Sequence, residues 1–344
     1  MSVFVAAGAA GKLTTSPDCT TWTAGTSGFG TTDIYAAVSA PELGLLVIAG
    51  DAGRLSTSPD GTTWTSRTSG FGTTPIYALA WSPELGLLVA GGGDSSGGFL
   101  TTSPDGIAWT PQTSGWVGRG INGIAWSPAL GLFVAAGGGV ASQTGCVTTS
   151  PDGVTWTYQS AGSAWYVNGI AWSPALGLFV ACGNGDTTHR GTLLTSPDGV
   201  TWTLRAGSSG QPTFIAVAWS PALGLFIAAG GSGVLKTSPD GITWTAQTSG
   251  FGTNYIYALG WSPDLNMLAA GGDSGALTTS GDGITWTART SGFGADIIYA
   301  FAWGGAIVLH PLRQVQRDDG LGRSVVRARG GTSVQKSIRQ RGYR

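Results

Sequence analysis

Short apolar runs separated by glycine, serine and proline mark almost the whole chain, and they come in a fixed order. A run such as 76–81 (IYALAW) is followed by one such as 131–137 (GLFVAAG) in another copy, then by a run into TTSPD, then by an ITWT-like run such as 242–245. Each unit is therefore predicted to hold four short strands, a to d. In strand d, Ile242 and Trp244 share one face while Thr243 and Thr245 share the other, the period of two that a strand requires. Ser-Pro-Asp-Gly between c and d predicts a tight turn: proline presets φ at the first corner, and glycine takes the left-handed position. Ser-Pro-Ala-Leu-Gly between a and b does a similar job. No segment sustains a helical period.

The order repeats. TSPDGxTWT or a close variant occurs seven times, its tryptophans being Trp22, Trp64, Trp109, Trp156, Trp202, Trp244 and Trp286, spaced 42, 45, 47, 46, 42 and 42. A second phrase, such as 78–92 (ALAWSPELGLLVAGG), alternates with it and carries Trp81, Trp126, Trp172, Trp219, Trp261 and Trp303, with Ser39 at that place in the first copy. Four strands per unit of roughly 40–45 residues is the sequence signature of a β-propeller blade. Two tryptophans per blade at fixed positions read as wedges between blades, and each buried indole then needs a partner for its N–H.

The termini refine this expectation. The chain opens on a b-like strand, 2–7, whose a strand is missing, and shows a surplus a strand at 297–303. Seven complete sheets result only if those two segments pair, which removes the open seam between first and last blades. The prediction is an all-β, seven-bladed propeller over 1–303, four antiparallel strands per blade, closed by strand 297–303 pairing with strand 2–7. Residues 304–344 would stand outside the ring as a basic, disordered tail. The formal charge of −1 hides this division, since residues 1–303 carry −8 and the tail +7.

Composition narrows the class. The 59 glycines and 15 tryptophans beside only 35 charged residues disfavour disorder, and irregular glycine spacing excludes collagen. No apolar run reaches the roughly 18 residues of a membrane helix. The start, MSVFVAAGAAGK, lacks the basic opening and length of a signal peptide. A cytoplasmic or virion-associated protein is the expectation, rather than one secreted by a standard signal. Three cysteines at unpatterned spacings do not suggest a disulfide framework.

The TSPDGxTW phrase resembles the Asp-box repeat of BNR or sialidase-like propellers, Ser/Thr-x-Asp-x-Gly-x-Thr-Trp, over residues 1–303. With glycine and tryptophan aligned, Pro59 stands where that family has aspartate, and Asp60 comes one position later; Asp105, Asp152, Asp198 and Asp240 repeat the shift. The phrase is also similar to repeats of phage-encoded propellers and photosystem assembly-factor propellers. The sialidase resemblance implies an arginine cluster and a tyrosine nucleophile supported by a glutamate. Against it, the chain has only Glu42 and Glu84, both in a–b turns, and lacks an Arg-Ile-Pro motif. Repetition of the turn aspartates favours a structural role over that of a glycosidase carboxylate pair. His189 and His310 stand in no ligand-spaced cluster, so no metal or cofactor is expected. The protein is not expected to be an enzyme.

Function is sought where the copies stop agreeing. The b–c loops lengthen in three consecutive units, at 91–98, 135–145 and 182–191, and the d–a loops that follow them abandon the TSGFG text of the other four. Both kinds of loop emerge on one propeller face. The candidate ligand cluster is therefore Trp116, Arg119, Trp165, Tyr166, Asp186, His189, Arg190 and Gln211, with Asp94 and Gln143 nearby. Aromatic faces beside polar groups suit a carbohydrate or a protein edge. A non-catalytic binding or scaffold propeller is the first expectation. A glycosidase-like hydrolase and a structural component of a phage or other large assembly are the alternatives. No membrane partner is expected, and nucleic acid only through non-specific, salt-sensitive contact with the tail.

Overall fold

The structure is a computed structural model describing residues 3–94, 96–115, 120–138, 145–160, 166–185, 191–206 and 212–304. Seven four-stranded antiparallel sheets make up the ring, each with its strands in chain order except the one that joins the termini. There Ile298–Gly304 pairs with Val3–Gly8, followed by Lys12–Ser16 and Thr23–Thr26. This is blade 1. The closing register runs from Val3 opposite Gly304 to Gly8 opposite Ile298, one residue later than predicted on both strands, so Gly304 belongs to the ring and not to the tail. Residues 305–344, the rest of the predicted tail, lie outside the described residues.

Blades 2 to 7 open on the a strands Ile34–Ala40, Ile76–Ser82, Ile121–Ser127, Tyr166–Ser173, Phe214–Ser220 and Ile256–Ser262. Each a strand packs against the a strands of both neighbours, all the way round to blade 1. The b strands, such as Leu45–Gly50 and Leu132–Gly137, are buried along nearly their whole length. Their side chains fill the gaps between sheets, where one cluster joins Val89 and Leu100 of blade 3 to Phe133, Trp126 and Trp156 of blade 4. The core is thus seven slabs between blades, and each sheet needs its neighbours to bury its faces.

The c–d turn is fixed by its aspartate. Asp60 Oδ1 accepts the N–H groups of Thr62 at 2.8 Å and Thr63 at 2.7 Å, and Ser58 Oγ donates to it at 3.0 Å. Asp18, Asp105, Asp152, Asp198, Asp240 and Asp282 do the same in their own turns. These bonds correct the predicted d strand. Ile242 and Thr243 give their N–H groups to Asp240, so they belong to the turn, and Ile242 is exposed. The strand itself starts only after the tryptophan, at Thr245 in blade 6 and Thr65 in blade 2.

The d tryptophans are half-buried or buried wedges whose indoles turn back on their own loops. Trp64 Nε1 donates to the Gly61 carbonyl at 3.1 Å, and Trp109, Trp156, Trp202, Trp244 and Trp286 repeat the bond. Trp22 is the exception: Cys19 replaces the turn glycine, and the Trp22 indole N–H is buried without a protein acceptor.

Two of the a tryptophans are held across blades. Trp81 Nε1 donates to Glu42 of the preceding blade, and Trp126 Nε1 to Glu84, both at 2.7 Å. The only two glutamates of the chain are therefore latches between blades.

Candidate functional site

A cavity of about 610 Å³ runs between the a strands of all seven blades. One feature of the pairing decides which side chains meet it. Ile34 pairs with Gly50 and Ala36 with Ala49, which leaves Tyr35 as an extra residue in a β-bulge. The same bulge leaves out Tyr77, Asn122, Asn168, Ile215 and Tyr257 in the next five blades, and Tyr299 in blade 1. A bulge re-aims its extra side chain, and here all seven line the cavity while the residue before each is fully buried between blades. Because the bulge is the second or third residue of its strand, this ring lies at the mouth where d–a and b–c loops emerge.

The ring is two-sided. Tyr257, Tyr299, Tyr35 and Tyr77 follow one another around blades 7, 1, 2 and 3, with neighbouring ring centroids 5.5, 5.4 and 5.4 Å apart. Tyr255, at the loop before blade 7, stacks on Tyr257 at 5.9 Å and extends the arc. Blades 4, 5 and 6 supply Asn122, Asn168 and Ile215 instead. Asn122 Nδ2 donates to the Val167 carbonyl at 3.1 Å and Asn168 Nδ2 to the Phe214 carbonyl at 2.8 Å, tying each blade to the next.

Carboxylates stand beside the arc. Asp33 closes the loop before blade 2, its Oδ1 accepting from Ala10 N–H at 2.8 Å. Asp51 follows the b strand of the same blade, with its N–H on the Asp33 carbonyl at 3.0 Å. Asp273 takes the corresponding place in blade 7 and accepts from Tyr255 N–H at 2.9 Å. Burial first, and then the charges of Asp33 and Asp51, push the Tyr35 phenol above its ordinary range. Burial also raises Tyr77, Tyr257 and Tyr299, helped by Asp51 and Asp94, by Asp273, and by Asp33 with Asp273 respectively. At neutral pH the arc is accordingly a set of uncharged aromatic faces and hydroxyls.

Of the predicted cluster, the described residues include Tyr166 and Asp94. Tyr166 opens the a strand of blade 5, pairs with Asn184 and lines the cavity. Asp94 ends the b strand of blade 3, fully exposed, and accepts from Ser96 N–H at 2.7 Å. Trp116, Arg119, Gln143, Trp165, Asp186, His189, Arg190 and Gln211 lie outside the described residues. The four regular d–a loops are closed by buried phenylalanines, Phe29, Phe71, Phe251 and Phe293, while Ser27 and its counterparts donate to a glycine carbonyl in the b–c turn of the same blade. Sequence reasoning missed the tyrosine arc, although a signal existed. Tyrosine recurs as the second letter of IYA in four a strands and gives way to asparagine or isoleucine in the three a strands that follow the divergent d–a loops.

The remaining chemistry is sparse. The cysteines Cys19, Cys146 and Cys182 are free and buried, and burial pushes the Cys182 thiol up to about 12. Among the described residues, no group of three His, Cys, Asp or Glu side chains converges as a metal site, and no helix is long and apolar enough to cross a membrane.

No family model matches the sequence, and no curated protein does. Solved structures share the fold. YCF48 bound to a D1 peptide superposes with a TM-score of 0.55 at 15% identity, over 83% of this chain and 85% of that one. A nidogen/laminin complex gives 0.51 at 10% identity, over 89% and 99%. YCF48 from Cyanidioschyzon merolae gives 0.50 at 15% identity, over 74% and 84%. At these identities the likeness concerns the β-propeller architecture.

Proposed function

We propose that the protein is a non-catalytic binding or scaffold propeller that recognises a segment of a partner protein at its loop face, over the mouth of the channel. The bulge ring carries this reading. Seven blades aim one side chain each at a single opening, and those side chains differ between two sectors although the strands around them hardly vary. Packing gives no reason for four half-buried tyrosines to face an open cavity, whereas a ligand that needs apolar contact with a few orienting polar groups does. Two structures of the same fold, YCF48 bound to a D1 peptide and a nidogen/laminin complex, support a polypeptide ligand. We read the repeat as Asp-box-like in design, because its aspartate braces the turn even one position late.

A glycosidase would need two carboxyl groups facing one bond with separated pKa values. The turn aspartates are instead held low by the backbone N–H groups they accept, and both glutamates are bound to indoles. The test takes the full chain to a random-peptide array, a glycan array and a panel of fluorogenic glycosides. Retention of peptides, without glycan binding or turnover, is expected. Glycoside turnover abolished by an acidic substitution would reverse the reading.

A further inference from the structure

Among the described residues, aspartates flank the tyrosine arc. Asp33 precedes the strand of Tyr35 and is joined to Asp51 by the Asp51 N–H, and Asp273 accepts from the N–H of Tyr255, which stacks on Tyr257. The described residues that line the cavity itself are uncharged, with neither lysine or arginine nor aspartate or glutamate among them. Lys12 of blade 1 and Arg54 of blade 2 are bound to the regular d–a loops. Lys12 pairs with Asp296 at 2.6 Å and donates to the Phe293 carbonyl, and Arg54 donates to the Phe29 carbonyl at 2.8 Å.

Aromatic faces attract cations through the ring quadrupole, most effectively when several rings surround the charge. The tyrosine rings of this arc are tilted or edge-on to their neighbours, at 38°, 66° and 68°, so they form a curved wall and not a closed stack. A ligand seated against that wall meets ring faces and edges on one side and carboxylates at the rim. Across the mouth, Asn122 and Asn168 give their amide N–H groups to the Val167 and Phe214 carbonyls, and their amide oxygens are acceptors. At the arc an anionic ligand would meet Asp33, Asp51 and Asp273, with no lysine or arginine among the described lining residues.

From this juxtaposition we propose that the tyrosine arc of blades 7, 1, 2 and 3, rimmed by Asp33, Asp51 and Asp273, is the receptor for an arginine side chain of the bound peptide. The assignment rests on the protein-binding reading above and adds its ligand class. Arginine fits better than lysine: its planar guanidinium stacks on aromatic rings, is weakly hydrated, and presents five donors to carboxylates and amide oxygens. The cavity volume lies within the range of ordinary ligand pockets and admits a side chain of that length.

The experiment uses the full chain and the random-peptide array. Retained peptides are expected to be rich in arginine, and replacing that arginine by citrulline, which keeps the shape and removes the charge, should weaken binding about tenfold. Tyr35→Leu with Tyr299→Leu should weaken it comparably at an unchanged melting temperature, and Tyr35→Phe with Tyr299→Phe should retain it, because the ring face is the recognising element. Equal affinity for arginine and citrulline peptides in the unmodified protein overturns the proposal, whatever the variants do. Retention of peptides without arginine overturns the receptor and leaves the protein-binding reading standing; retention of no peptide overturns both.

Discussion

The glutamate latches offer the sharpest test of how the blades are held. Glu84 accepts the Trp126 indole N–H at 2.7 Å from the a–b turn of the preceding blade. In the next two turns the same place is Ala129 and Ala175, and the indole N–H groups of Trp172 and Trp219 are buried with no protein acceptor. Asp264, one methylene shorter than glutamate, precedes Trp303, whose N–H is likewise unpaired. Hydrogen bonds to a charged group contribute about 1.5–3 kcal/mol. Since the Glu84–Trp126 pair is only partly buried, the lower end, about 1–1.5 kcal/mol, applies after solvent screening. Glu84→Ala should therefore cost about 1 kcal/mol, near 2 °C in melting temperature for a chain of this size. Ala129→Glu, which hands Trp172 the missing acceptor, should gain about 0.5–1 kcal/mol after the ordering entropy of the new side chain. Urea unfolding of both variants, each combined with Trp→Phe at the partner indole, isolates the pair energy in a double-mutant cycle. If Glu84→Ala is silent, or if the coupling in both cycles is zero, the latch is a contact without energetic weight and the reasoning fails.

Gly50 ends the b strand of blade 2, and a Cβ there would collide with the Asp33 backbone carbonyl; Gly50→Ala should cost about 1–3 kcal/mol in urea unfolding and loosen the Tyr35 bulge, and an unchanged midpoint would refute the close approach. The seven turn aspartates have lowered pKa values because backbone N–H groups stabilise their charged form, Asp282 to about 2. Their contribution is therefore complete above the unfolded value near 4 and is lost as pH falls through the folded values. Melting temperature should hold steady from pH 7 to about 5 and drop between about 4 and 2, with Asp60→Asn flattening part of that drop; a profile that stays level to pH 2 would count against the braces. Deleting 305–344 should leave the melting curve unchanged, whereas extending the deletion to 298 removes the closing strand and should abolish cooperative unfolding. Equal behaviour of the two truncations would contradict closure.

How much of this was legible beforehand depends on the range of the interactions involved. The repeat declared the architecture because each blade is built from local text: Ser-Pro-Asp-Gly makes its turn with bonds spanning two or three residues, and the same apolar runs recur with every copy. Even the closure between residues 2–7 and 297–303 could be inferred, since an a strand was missing at one end and spare at the other. The d strand was misplaced because ITWT alternates like a strand, yet the Asp240 carboxylate claims the N–H groups of Ile242 and Thr243 that a strand would give to its neighbour.

The site was another matter. Sequence directed attention to the blades where loops diverge, because divergence shows in a string of letters. Whether a side chain faces a channel or a neighbouring sheet turns on one unpaired residue in each a strand, and a bulge leaves no mark in the residue types around it. Closure then sets Tyr35 beside Tyr299, with centroids 5.4 Å apart, from opposite ends of the chain. The amino-acid sequence alone determined seven sheets and their turns, through short-range hydrogen bonds and repeated apolar patterning. Only the closed ring decided that four tyrosines form one wall, because their proximity follows from the circle and not from any contact between neighbours along the chain.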